Sequence, residues 1–188
     1  MNCKRLKGLY LWVDSPIPAD EKSSYEKFIF SLSKIETLIL SSFVLELLST
    51  GKVTRGLPFT PINCLRHLIL GINLDEMGQT SYTLKLIKSF LNLSKLEIRD
   101  ETVMKYLDKP ACLDRSVNKL EDVVMHSFRG SKPELMFIKL LFARAPSLVR
   151  MNIKLSKGAK EERHITKELM RFPRASPKAE LFYSTNAN

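Results

Sequence analysis

The 188 residues carry 30 Lys and Arg against 20 Asp and Glu, a formal charge of +10, and 44% of them are hydrophobic. A chain of this length and apolar content buries a real core as one domain or one short repeat array, which excludes a disordered chain. It has no apolar run near the roughly eighteen residues that cross a bilayer and no cleavable leader, so the expected setting is intracellular, cytoplasmic or nuclear, with no membrane contact.

One pattern organises the chain: an apolar residue, usually Leu, followed by others at +3 and +5. It occurs at Leu6/Leu9/Leu11, Ile35/Leu38/Leu40, Leu65/Leu68/Leu70, Leu93/Leu96/Ile98, Leu120/Val123/Met125 and Leu148/Met151/Ile153. The steps between first positions are 29, 30, 28, 27 and 28 residues, the period of leucine-rich repeats. Residues two apart share one side of a strand, and the residue between them points to the other.

Taken in order, "LYLWV" sets Leu9, Leu11 and Val13 against Tyr10 and Trp12 and reads as the first strand. "SYEKFIFSLSK" places Tyr25, Phe28, Ile29 and Leu32 on one helical stripe. After the second strand, residues 49 to 63 hold glycines and prolines without period and read as a loop. "SYTLKLIKSFL" offers Leu84, Ile87 and Leu91, and "ETVMKYLDKP" offers Val103, Met104 and Leu107 before Pro110 ends it. In "SKPELMFIKLLFARAP" Ser131 and Glu134 have capping-box spacing, Leu135, Ile138, Leu141, Phe142 and Ala145 form the stripe, and Pro146 closes it. "KGAKEERHITKELMR" alternates charge as exposed helices do, and "AELFYS", reached through "FPRASP", reads as a last strand with Leu181 and Tyr183 on one side. The consensus Asn that follows an LRR strand occurs only as Asn73; Asp14, Phe43, Glu101, Phe128 and Ser156 take its place elsewhere.

The expected fold is α/β: a short right-handed leucine-rich-repeat solenoid with six parallel strands on the concave face, helices outside, and a C-terminal cap. In each repeat the residues flanking the apolar pair face the concave side. The set is Tyr10, Trp12, Ile39, His67, Ile69, Lys95, Glu97, Arg99, Asp122, Val124, His126, Arg150, Asn152 and Lys154. Apolar residues dominate the first three repeats and charge the last three. Tyr10, Trp12, Ile39, His67, Ile69, Glu97, Arg99 and Arg150 are the candidate partner-binding residues, the aromatic and apolar ones as anchors.

The stretches "LEDVVMHSFRGSKPELMFIKLLFARAPSLVRMNI" and "ITKELMRFPRASPKAELFY", within Lys119 to Tyr183, resemble the FBD domain that closes many plant F-box/LRR proteins. Residues 6 to 118 resemble, more loosely, the LRR portion of the same family. The resemblance implies two regions, 1–118 of leucine-rich repeats and 119–188 of FBD type comprising the last repeats and the cap. It also implies a protein-interaction module similar to the substrate-recognition part of SCF-type E3 ubiquitin ligases, in which an F-box grips the Skp adaptor and the repeats hold a protein target. No F-box is recognisable in these residues, so no contact with a Skp adaptor is expected. "LYLWV" begins so close to Met1 that the sequence is expected to be a remnant or fragment of a longer F-box protein, prone to self-association along an uncovered edge strand.

Other chemistry finds little support. His67, His126 and His164 are scattered and none accompanies a nucleophile motif; no phosphate-binding glycine loop occurs, so no enzyme and no cofactor are expected. Cys3, Cys64 and Cys112 lack metal-ligand or disulfide spacing and read as reduced, half-buried thiols, with no metal. The alternative function is a basic surface that binds nucleic acid or another acidic partner. From Arg150 onward nine Lys and Arg face four Asp and Glu, half of the net charge. No aromatic series interleaves these cations and no nucleic-acid motif occurs, which argues against nucleic acid. The sequon at Asn92 is expected to stay unmodified, and "RAS", Arg174 to Ser176, fits either a kinase site or a proline-bounded turn.

Overall fold

The computed structural model describes residues 34–49, 64–100, 117–156 and 162–185 and, nearer the start, 7–11, 13, 16, 18–21, 24, 25 and 28. The strands are β1 (Gly8–Leu11), β2 (Thr37–Leu40), β3 (His67–Ile72), β4 (Lys95–Asp100), β5 (Asp122–Phe128), β6 (Arg150–Leu155) and β7 (Glu180–Thr185). They form one sheet in chain order, every neighbouring pair parallel. The helices given in full by the described residues are α1 (Ser42–Ser49), α2 (Met77–Ser89), α3 (Lys132–Arg144) and α4 (Glu162–Met170), with a 3-10 turn at Ala19–Glu21. Parallel neighbours require a crossover between strands, and sequential order with helical crossovers is compatible with a leucine-rich-repeat-like fold. The sheet runs without a break through β4 and β5, across residue 118.

The repeat is written into the backbone as well as the side chains. The carbonyl just before a strand accepts two successive N–H groups of the next repeat. Lys7 O takes Glu36 N and Thr37 N, Glu36 O takes Arg66 N and His67 N, and Arg66 O takes Ser94 N and Lys95 N. Ser94 O takes Glu121 N and Asp122 N, and Glu121 O takes Val149 N and Arg150 N. Each acceptor follows the first apolar position of its unit, and the described first positions, Ile35, Leu65, Leu93 and Leu120 with Leu148 of the next unit, are all fully buried. The strands contribute two core rows, Leu9–Leu38–Leu68–Leu96–Val123–Met151–Leu181 and Leu11–Leu40–Leu70–Ile98–Met125–Ile153–Tyr183. From Leu38 to Ile153 every member is buried, because a parallel sheet covered by helices leaves that face no water.

α3 has the expected capping box. Ser131 Oγ accepts the Glu134 N–H, and Glu134 Oε2 accepts the Ser131 N–H at 2.7 Å. Phe137, Ile138, Leu141, Phe142 and Ala145 are buried while Leu135 is only partly so. α2 begins and ends earlier than its stripe suggested: Leu84 and Ile87 are buried, but Leu91 lies beyond the helix in a turn, 64% exposed. α1 was not foreseen. Val44, Leu45, Leu47 and Leu48 are all buried, since this short helix packs against both β3 and α2 and needs two apolar faces.

Among the described side chains of α4, Ile165 and Leu169, one turn apart, are the buried ones. The "RFPRASP" turn that follows is stitched to α3: Ala175 N donates to Phe142 O at 2.7 Å, and the Arg174 guanidinium lies 5.0 Å from the Phe142 ring centre. Arg174 Nη1 also donates to Ala179 O at 2.6 Å. Ser176 is buried, so this stretch is a folded turn and offers no accessible hydroxyl to a kinase. Cys64 is a free, exposed thiol, against the half-buried expectation, because it precedes β3 in a turn. Most of the "SYEKFIFSLSK" helix, the 50–63 loop, "ETVMKYLDKP", Trp12, Cys3 and Cys112 lie outside the described residues; Ser24, Tyr25 and Phe28 are helical.

Candidate functional site

With one side of every strand spent on the core, the other side carries three rows of side chains on the sheet's open face. The first row is Gly8, Thr37, His67, Lys95, Asp122, Arg150 and Glu180. The middle row is Tyr10, Ile39, Ile69, Glu97, Val124, Asn152 and Phe182. In the third, Gly71 pairs with Arg99, Arg99 with His126, and Lys154 with Ser184. Between His126 and Lys154 the register slips. Met125 pairs with Ile153 but Phe128 with Leu155, and Ser127 takes a φ of 55°. This bulge inserts one residue and returns Phe128 to the core, where it is fully buried.

The register thus brings Tyr10, Ile39, His67, Ile69, Glu97, Arg99 and Arg150 to one face; Trp12 lies outside the described residues. They are not equal in reach. Tyr10 is 56% exposed, but Ile69 is only 7% exposed, hemmed by its neighbours, and offers little area to a partner. Phe182, 45% exposed on β7, extends the middle row; it is absent from the candidate residues because the repeat pattern that defines them stops at β6. Its signal was present: it alternates with Leu181 and Tyr183, so it faces the same way as Asn152.

The centre of the face is a carboxylate contacted from three strands. Glu97 Oε1 accepts from Arg99 Nε at 3.0 Å and Nη2 at 2.9 Å. His126 Nε2 lies 3.1 Å from the same oxygen, and His67 Nε2 lies 3.9 Å from Oε2. Burial pushes the Glu97 carboxyl up, but Arg99, His126 and Lys95 outweigh it and hold it below the usual range. Both imidazoles sit below the ordinary histidine value. For His67 the cause is burial, then Lys95 and Arg99 against the pull of Glu97. For His126 it is burial, with Lys154 and Arg99 opposing Glu97. Among the described residues no group of three or more His, Cys, Asp or Glu is arranged to hold a metal ion.

Toward β7 the face becomes a shallow groove. One depression of about 400 Å³ is lined by Lys95, Asp122, Val124, Arg150, Asn152 and Phe182, and it adjoins another of about 330 Å³ beside Lys154 and Ser184. Arg150 clamps Asp122 through Nε at 2.5 Å and Nη2 at 3.0 Å. No described helix is long and apolar enough to cross a membrane.

The chain is 25% identical over 175 residues to F-box/FBD/LRR-repeat protein At1g13570 of Arabidopsis thaliana, covering 87% of this chain and 42% of that protein. It therefore spans about two-fifths of the relative's length. That similarity supports the resemblance to the plant F-box/FBD/LRR family that the repeats and the C-terminal stretches carry. No family model and no solved structure matches the chain.

Proposed function

We propose that the chain is a protein-interaction module whose open sheet face holds a target protein, in the manner of the substrate-recognition part of an SCF-type E3 ubiquitin ligase. In this reading the strands form a short leucine-rich-repeat solenoid, residues 1–118 its repeat region and 119–188 an FBD-type unit that closes it. Contact with a Skp adaptor is not a property of these residues. The observation that carries the reading is the middle row. From Tyr10 to Phe182 it aligns aromatic, aliphatic and polar side chains across seven strands, five of which are paired on both sides within the sheet. Such a surface is rigid before binding, which limits the ordering cost of association.

The test is a pull-down from plant extract with the parent chain and with the variant Tyr10→Asp/Val124→Arg, after showing that both melt alike. Proteins retained by the parent and lost with the variant are expected; identical sets would refute the reading. Purified Skp adaptor added alone is expected to show no binding, and a saturable complex would refute the division of labour.

A further inference from the structure

We infer that the half of the open face between β4 and β7 takes an acidic peptide segment bearing one large apolar side chain, an inference that rests on the protein-binding reading above. The first argument is charge. Four cations, Lys95, Arg99, Arg150 and Lys154, stand on this half of the face. Glu97 is held by Arg99 and Asp122 by Arg150. No described acidic side chain is ion-paired to Lys95 or Lys154, which stand in the outer rows on either side of the groove. The third row, Arg99, His126, Lys154 and Ser184, contains no acid at all. The first row sets Asp122 and Glu180 beside Lys95 and Arg150, so the excess of positive charge that an anionic partner meets lies in the third row, at Lys154.

The second argument is the floor between those cations. Val124, Asn152 and Phe182 line both depressions, and Phe182 presents an exposed aromatic surface at the sheet margin. A rigid ring beside partly covered aliphatic area is the kind of place where a single apolar side chain contributes most of an interface's energy. The third argument is dimension. The outer rows lie four residues apart along a strand, about 13 Å, and β4 to β7 span three gaps, about 14 Å. An extended segment crossing these strands uses about five residues and, by alternation, turns every second side chain toward the cationic third row.

The same features disfavour a nucleic-acid strand. The exposed aromatics at the groove, Phe182 and Tyr183, are adjacent on β7 and alternate to opposite sides of the strand instead of forming a stacking series, and two of its four cations are already engaged by carboxylates. Charge and anchor together favour an acidic protein segment.

The experiment selects short random peptides displayed on phage against the full chain, then measures the winners by fluorescence anisotropy. The expected pool is rich in Asp and Glu around one aromatic or large aliphatic residue. Lys154→Glu and Phe182→Ala should each weaken a winner about tenfold, while Leu91→Ala, outside the groove lining, leaves it unchanged. Thermal melts confirm that each variant folds, and Phe182→Ala stands in wherever a charged variant does not. A pool that binds the open face, judged by loss with Val124→Arg, yet shows no acidic excess overturns the inference and leaves the protein-binding reading standing. A pool indifferent to every open-face substitution overturns both. Displacement of the winners by single-stranded oligothymidine, with Lys154-dependent binding of that probe, overturns the inference in favour of nucleic acid.

Discussion

Replacing Glu134 with Ala tests how the end of β5 is held. Its side chain is 1% exposed, and its carboxylate accepts the Ser131 N–H at 2.7 Å and the Arg129 N–H at 3.2 Å. It thereby closes the first turn of α3 and fixes the backbone two residues past the Ser127 bulge. Each backbone donor bonded to a charged acceptor is worth about 1.5–3 kcal/mol, because losing the acceptor leaves a donor with little water to turn to. A carboxylate in the first helical turn adds about 0.3–1 kcal/mol from the helix dipole. Allowing for the non-additivity of neighbouring bonds, Glu134→Ala should lower stability by about 3–5 kcal/mol. Glu134→Gln keeps one acceptor oxygen and the volume but loses the charge, and should lower it by about 1–2 kcal/mol. Urea unfolding followed by circular dichroism measures both. An Ala variant within about 1 kcal/mol of the parent, or a Gln variant as damaged as Ala, would refute the assignment of this carboxylate as the tie between strand and helix.

Gly130 has a φ of 77°, and an added Cβ would stand 2.7 Å from Ile165 Cγ1; Gly130→Ala should lower stability by about 2–4 kcal/mol. Combining it with Ile165→Ala should give less than the sum of the two in a double-mutant cycle. Ser127→Gly, at the other left-handed position, should raise stability by about 0.5–1 kcal/mol in urea unfolding, and a loss would show that the serine side chain contributes there. Arg174→Ala should lower stability by about 1–2 kcal/mol, and Arg174→Lys should recover less than half, since ring stacking and the Ala179 bond both use the guanidinium. His67 and His126 titrate below 6.5 in the fold, so the unfolded chain takes up more protons as pH falls through 6.5 and stability declines with acid. Glu97, depressed below 4.5, adds a second decline under that value; chemical denaturation from pH 8 to 4 should show both, and the Glu97→Gln variant only the first.

The strand positions were legible because two independent regularities coincide. The apolar triplet sets which residues enter the core, and the near-constant step sets which triplets become neighbours. Together they predict that His67 stands beside Lys95 and Glu97 beside Ile69, as the sheet has them. The helices were legible only where a single face is buried. α3, with its Ser131 and Glu134 cap, satisfies that condition. α1 does not, because its apolar residues run consecutively to serve two neighbours and so show no stripe. Leu91 misled for the opposite reason: it continues the helical spacing of Leu84 and Ile87 after the helix has already ended.

The open face was harder to read, and the reason lies in how the fold is held. Backbone carbonyls before the strands and buried leucines behind them lock the sheet, so nothing in the repeat constrains the outward side chains. Freed from packing, they vary from Ile39 to Glu97 to Phe182 without breaking the period, and membership of the face follows from alternation while its chemistry does not. Exposure is set by neighbours on adjacent strands: Ile69 is almost covered while Tyr10, in the same row, is more than half exposed. The charge pattern depends on pairs that only register creates. Asp122 and Arg150, 28 residues apart, meet across one strand gap, and Glu97 meets His126 in the same way. Once those pairs are made, the +10 of the whole chain ceases to describe the surface, and what a partner meets on this half of the face is Lys95 and Lys154, with no described ion pair, and Glu180 around a floor of Val124, Asn152 and Phe182.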